Sequence, residues 1–152
     1  MREKWNRDNG VPSYYRVCVD WHKTLEKGGK ISEQDMDALD ELLKSGEIKV
    51  HIISHAGSWR RDQVFLDVRA LLGNERWDAL AGVHDCDYRV GPQGKASLAL
   101  EKGCKAIIDD SQGILQEAWR KGLWTYPVSP QPQLHTTWTQ FFLHSSWQRL
   151  ST

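Results

Sequence analysis

The chain has 152 residues, with 39% hydrophobic and 26% charged residues. That is enough for one domain with a real core and too little for two. Twenty basic residues balance twenty acidic ones, so no net charge draws the chain toward nucleic acid or a membrane surface. No apolar run approaches the roughly 18 residues a membrane span requires.

In chain order, residues 1–13 mix charge with Asn, Gly and Pro and read as a leader. The β-rich run 14–19 predicts a strand that stops at Asp20. Residues 21–30 contain Gly28 and Gly29 and predict a turn or small hairpin. Ser32 then has the character of an N-cap, with Asp35 in the acidic first turn. Met36, Leu39, Leu42 and Leu43 follow at helical spacing, and Gly46 stops the helix. A second strand spans 48–54.

Ser58 can cap a helix running through Leu72, whose apolar face is Val64, Phe65, Val68, Leu71 and Leu72, with Gly73 as its end. A weaker strand covers 81–87. Gly91-Pro92-Gln93-Gly94 predicts a turn into a helix over about 95–102, which Gly103 ends. A strand over 105–108, a helix over 112–121 and a strand over 123–128 complete the alternation. Pro127, Pro130 and Pro132 stiffen a linker. A final helix near 137–149 carries Trp138, Phe141, Phe142 and Trp147, and is expected to cover the same domain over 129–152.

Strands alternating with helices through short connections specify an α/β domain over 14–128. The expected form is a Rossmann-like three-layer sandwich with a mainly parallel sheet of about five strands and no cap domain. Three cysteines (Cys18, Cys86 and Cys104) without CxxC spacing suggest reduced thiols and a cytoplasmic or other reducing intracellular setting.

Asp20, Ser54, Lys95 and the pair Asp109 and Asp110 each fall at a strand end or the start of the next helix. In a doubly wound sheet those positions converge on one crevice. Carboxylates without paired histidines favour a hard cation with oxygen ligands, and Mg²⁺ fits because it usually also contacts phosphate. A lysine supplies a point cation, and a hydroxyl with backbone amides completes a phosphate cradle. Arg60 can grip a phosphate or be solvated charge at a helix start.

Asp20-Trp21-His22-Lys23-Thr24, the strand ending at Ser54, Lys95, and Ala106-Ile107-Ile108-Asp109-Asp110-Ser111 resemble, in order, the four motifs of the haloacid dehalogenase-like superfamily in its capless form. The resemblance implies a Mg²⁺-dependent phosphatase working through an aspartyl-phosphate, with a phosphorylated and bulky substrate. Asp20 would be nucleophile and metal ligand, the backbone carbonyl of His22 a further ligand, and Asp109 and Asp110 the remaining metal carboxylates. Ser54 and Lys95 would hold the phosphoryl group, and Thr24 would support the turn.

His22 stands where that family's phosphatases carry a second aspartate. It implies either an imidazole acid/base or a catalytically impaired binding or regulatory module. The stretch 108–120 is also similar to the phosphatase half of phage-type polynucleotide kinases. That likeness implies a third reading, a 3′-phosphatase on DNA or RNA ends, with nucleic acid as a possible partner.

Overall fold

The computed structural model describes residues 5–6, 11–12, 15–44, 48–55 and 61–128, with only the backbone described for Trp5, Asn6, Val11, Pro12, Tyr15, Arg61 and Tyr88. The expected C-terminal helix, its linker and Arg60 lie outside the described residues, as does most of the leader. Two short strands near the N-terminus, β1 (Trp5–Asn6) and β2 (Val11–Pro12), pair antiparallel.

The remaining strands are β3 (Tyr15–Asp20), β4 (Ile48–Ser54), β5 (Gly82–Asp85), β6 (Ala106–Asp109) and β7 (Trp124–Pro127). They form one sheet in the order β5-β4-β3-β6-β7, every neighbouring pair parallel. The helices are α1 (Glu33–Lys44), α2 (Arg61–Ala79), α3 (Gly91–Glu101) and α4 (Gln112–Arg120). This is the Rossmann-like α/β architecture expected from the alternation of elements.

The layering follows from the two-residue period of a strand. Val17, Val19, Val50, Ile52, Ala106 and Ile108 pack with the α1 and α2 side chains Leu39, Leu42, Val64, Val68 and Leu72. Cys18, Ile53 and Ile107 face the other way, onto Ala96 and Ala99 of α3 and Ile114, Leu115 and Ala118 of α4. Both faces are therefore covered, which is why β4 reads as a continuous apolar run with only His51 and Lys49 interrupting it. From β3 the chain winds outward through β4 to β5, then crosses back to β6 and on to β7. The direction reverses between β3 and β6, the switch point where doubly wound folds open a crevice.

Local chemistry sets the element ends. Ser32 Oγ accepts the amide of Asp35 at 3.1 Å, so the expected cap of α1 forms. Gly73 adopts φ 83° and breaks helical geometry as its residue type suggests, but the chain then resumes a helical turn to Ala79. That extra turn lets Arg76 clamp both oxygens of Asp40 of α1 through Nε and Nη2, at 2.6 and 2.9 Å. The expected 91–94 turn is instead the first turn of α3. Gly91 at φ 70° leads in and Pro92 occupies the first helical turn, where a missing amide hydrogen costs nothing.

The reading of three reduced thiols is corrected: Cys18 and Cys104 are joined by a disulfide, and Cys86 is the free, buried thiol. The partners are 86 residues apart in sequence. Pairing of β3 with β6 brings them together, and no local spacing announces it. Among the described residues, no helix is long and apolar enough to cross a membrane.

The α3 side of the sheet also holds a histidine relay. Arg16 Nη1 donates to His51 Nε2 at 3.1 Å. That leaves the proton of a neutral His51 on Nδ1, which donates to His84 Nε2 at 3.1 Å. A Cβ on Gly82 would lie 2.7 Å from His84 Nε2, so any side chain there would have to displace the His84 ring from the relay. Burial, then His84, Arg16 and Lys102, push His51 down to about 4. Burial and Lys102 push His84 down as well.

Both folded values lie below the ordinary 6.5, so the unfolded chain takes up protons first as pH falls. The stability the relay contributes is complete above 6.5 and declines from there toward about 4. At pH 5 His51 alone accounts for a loss of about 2 kcal/mol, at 1.36 kcal/mol per unit. Urea unfolding should therefore show a shallower loss between pH 7 and pH 5 in His51→Gln than in the parent. Equal slopes would remove the relay from the acid response.

Candidate functional site

Parallel pairing brings the carboxyl ends of all five strands to one edge of the sheet. Asp20 ends β3, Ser54 ends β4 beside Asp85 of β5, and Asp109 ends β6. Lys95 lies one turn into α3 and is 1% exposed. Small residues, Ala96 and Ala99, let this helix lie close against the sheet. The lysine ammonium sits in the switch-point crevice and donates to Asp20 Oδ1 and to Asp109 Oδ2, each at 2.7 Å.

The other carboxylate oxygens are also held. Thr24 Oγ1 donates to Asp20 Oδ2 at 2.9 Å and lies 3.5 Å from Asp110 Oδ1. The amide of Ser111 donates to Asp109 Oδ1 at 2.9 Å, while Ser111 Oγ caps α4 at Ile114. Asp110 is the most open of the three acids. Oxygens of Asp20, Asp109 and Asp110 all lie within 4.8 Å of one another, a spacing compatible with one cation. Ser54 Oγ is buried and has no hydrogen-bond partner among the described residues.

The electrostatics are strained. Burial raises the Asp20 carboxyl, Lys95 pulls it back, and the charge on Asp109 raises it again, leaving it at about 7. Asp109 is raised for the same leading reason, burial, against the pull of Lys95. Burial alone would lower Lys95, but the two carboxylates outweigh it and raise the ammonium. Three acids around one ammonium leave the crevice short of positive charge.

The residues expected at the site divide clearly. Asp20, Thr24, Lys95, Asp109 and Asp110 are brought together. Ser54 stands one strand away at the same edge. His22 turns toward Glu26, with Nδ1 to Oε1 at 3.2 Å. Glu26 Oε2 accepts the amide of Gly29 at 2.6 Å.

That contact belongs to a tight loop pinned by buried Trp21 and Leu25, in which the Trp21 carbonyl accepts the amides of Thr24, Leu25 and Glu26. Lys23 takes φ 65° to close it, unusual for a side chain other than glycine. Glu26 was missed from sequence; its position four residues after His22 was the available signal. Asp85, level with Ser54 at the edge, was missed too, inside a strand whose ends were poorly marked.

No family model and no curated protein matches this chain. Solved structures similar to it include a universal stress protein in complex with cAMP, at 12% identity and TM-score 0.45, covering 77% of this chain and 98% of that one. Another is the universal stress protein from Archaeoglobus fulgidus, at 12% identity and TM-score 0.42, covering 74% and 91%. Neither is a haloacid dehalogenase-like protein.

The resemblance to that superfamily is therefore corrected. With it go the phosphatase activity, the aspartyl-phosphate on Asp20, the impaired variant of the same family and the 3′-phosphatase reading. The physical reason lies in the fold. Any doubly wound sheet brings its strand ends and helix starts together at the switch point, so polar residues at those positions do not by their order single out one family. Here, moreover, Asp20 is tied to Lys95 and Thr24, and His22 is engaged by Glu26. What the fold and edge define is a doubly wound α/β domain with an acidic crevice.

The strain has a measurable consequence. A carboxyl whose folded value is raised from 3.8 to about 7 costs stability that grows as pH rises through that interval and is complete above it. Asp20→Asn keeps one oxygen to accept from Lys95 and turns its NH2 toward the Thr24 hydroxyl, which can accept, while removing the charge. Without added divalent cation it should raise stability at pH 8 by about 1–3 kcal/mol and by less at pH 5. Chemical denaturation at both pH values reads this. A variant destabilised equally at both would show that Asp20 is not under electrostatic strain.

Proposed function

We propose that this domain binds a divalent cation at Asp20, Asp109 and Asp110, with Mg²⁺ the fitting ion, and through it the phosphate of a small phosphorylated ligand. The observation that carries the reading is the buried charge deficit: three carboxylates within 4.8 Å of one another share a single ammonium. The donor set is all oxygen, which suits a hard cation. The partnerless Ser54 Oγ supports a ligand at the same edge, because a buried hydroxyl without a hydrogen bond costs about 1–3 kcal/mol.

In this reading Asp110, the most open acid, holds the ion together with Asp20 and Asp109. Bound there, the ion supplies positive charge that bridges the acids to phosphate oxygens. Lys95 spends two N–H bonds on Asp20 and Asp109, and its third is available to the phosphate. Ser54 donates its hydroxyl proton. Thr24 keeps the Asp20 carboxylate oriented. The reading is one of binding; no bond-breaking step is assigned to these residues.

Mn²⁺ can replace Mg²⁺ as a paramagnetic probe in a water-proton relaxation titration. The parent chain should bind it, with affinity falling at least about tenfold in Asp110→Asn. Inorganic phosphate should raise the melting temperature only when the cation is present. Unchanged Mn²⁺ affinity in Asp110→Asn would defeat the assignment of the ion. Cyclic AMP, the ligand named for one structural neighbour, provides the contrasting arm: its tight binding in the presence of a chelator would defeat the cation-bridged mode.

A further inference from the structure

Away from the crevice, the end of α4 and the start of β7 form an aromatic groove. Trp119 is 63% exposed, the most exposed of the large hydrophobic side chains described. Its ring meets Trp124 edge to face, with centroids 6.5 Å apart. With Gly122 and Leu123 the two tryptophans line a cavity of about 230 Å³. Packing of the α/β domain does not require this: α4 already buries Ile114, Leu115 and Ala118 against the sheet, and Trp119 stands at the flank of that face, largely exposed.

The chain itself carries a matching segment. Residues 129–152 follow β7 directly and contain Trp138, Phe141 and Phe142 at i, i+3, i+4 spacing, with Trp147 further on and no acidic residue. Such a stripe is a poor solute by itself and buries readily against an apolar surface. Its point of departure is fixed, because the Val128 amide is held by the Asp109 carbonyl at 2.9 Å. The groove lies about 13 Å back along β7 from that point. Residues 129–137 can span up to about 30 Å, so Trp138 reaches it easily. Tethering gives the segment an effective concentration in the millimolar range, ahead of any partner in solution.

We infer that the groove between Trp119 and Trp124 is the docking site for the chain's own segment 129–152, seated through Trp138, Phe141 and Phe142. Limited chymotrypsin digestion of the full chain tests this, since cleavage after those aromatic residues requires the segment to leave its seat. Trp119→Glu should speed cleavage there about tenfold by populating the undocked form. Leu66→Glu, at a residue 62% exposed on α2, should leave the rate unchanged.

Trp138→Ser, which leaves the described domain untouched, should accelerate cleavage after Phe141 to the same degree as Trp119→Glu. Equal rates in the parent, Trp119→Glu and Trp138→Ser would overturn the inference. Protection that increases with protein concentration would overturn it as well, since a second copy would then be the occupant.

Discussion

The ammonium of Lys95, held between two carboxylates that approach from neighbouring strands, is the interaction on which the crevice depends. Either acid alone would be costly at that depth, and the lysine alone would be more so. Together they hold the ends of β3 and β6 at the one place where the winding of the sheet reverses. Burial still wins over attraction at Asp20, which is why its carboxyl remains raised to about 7. The crevice is thus a place where folding tolerates excess negative charge, and sites of that kind are frequently functional.

The surroundings serve that arrangement. Alanines on α3 let the lysine sit deep, and Ser111 uses its amide for Asp109 while its hydroxyl starts α4. Thr24 comes from a loop nailed down by Trp21 and Leu25, so its hydroxyl meets Asp20 without freedom to wander. The histidine relay lies on the same α3 face of the sheet, among Arg16 and Lys102, and has the opposite response to acid. Protons relieve Asp20 and disturb His51, so the two clusters pull the pH dependence of stability in opposing directions.

Much of this was legible from the chain because strand-end acids announce themselves: an apolar run that stops at Asp20 or Asp109 can be read without coordinates. Lys95 was legible for a related reason, lying just past a glycine-proline pair that starts a helix. The Cys18–Cys104 link and the His51–His84 pair were not, since each depends on which strands become neighbours and in what register. The orientation of His22 depends on a rotamer and on Glu26, below the reach of spacing arguments. The family was misread because the motifs report the switch-point geometry that unrelated doubly wound folds share. An ordered set of acids, hydroxyl and lysine is evidence for a crevice before it is evidence for a chemistry.

The strict alternation along β3 has a consequence for how sequences of this type can change. Cys18 and Asp20 share one side of the strand, while Val17 and Val19 occupy the other. Losing or gaining a single position within that strand would invert its phase. The acid would then be delivered to the oily layer beneath α1, and a valine to the lysine. Insertions are tolerable in the connecting turns but not between the core and its terminal acid, so the spacing from Val17 to Asp20 is as much a part of the crevice as the acid itself.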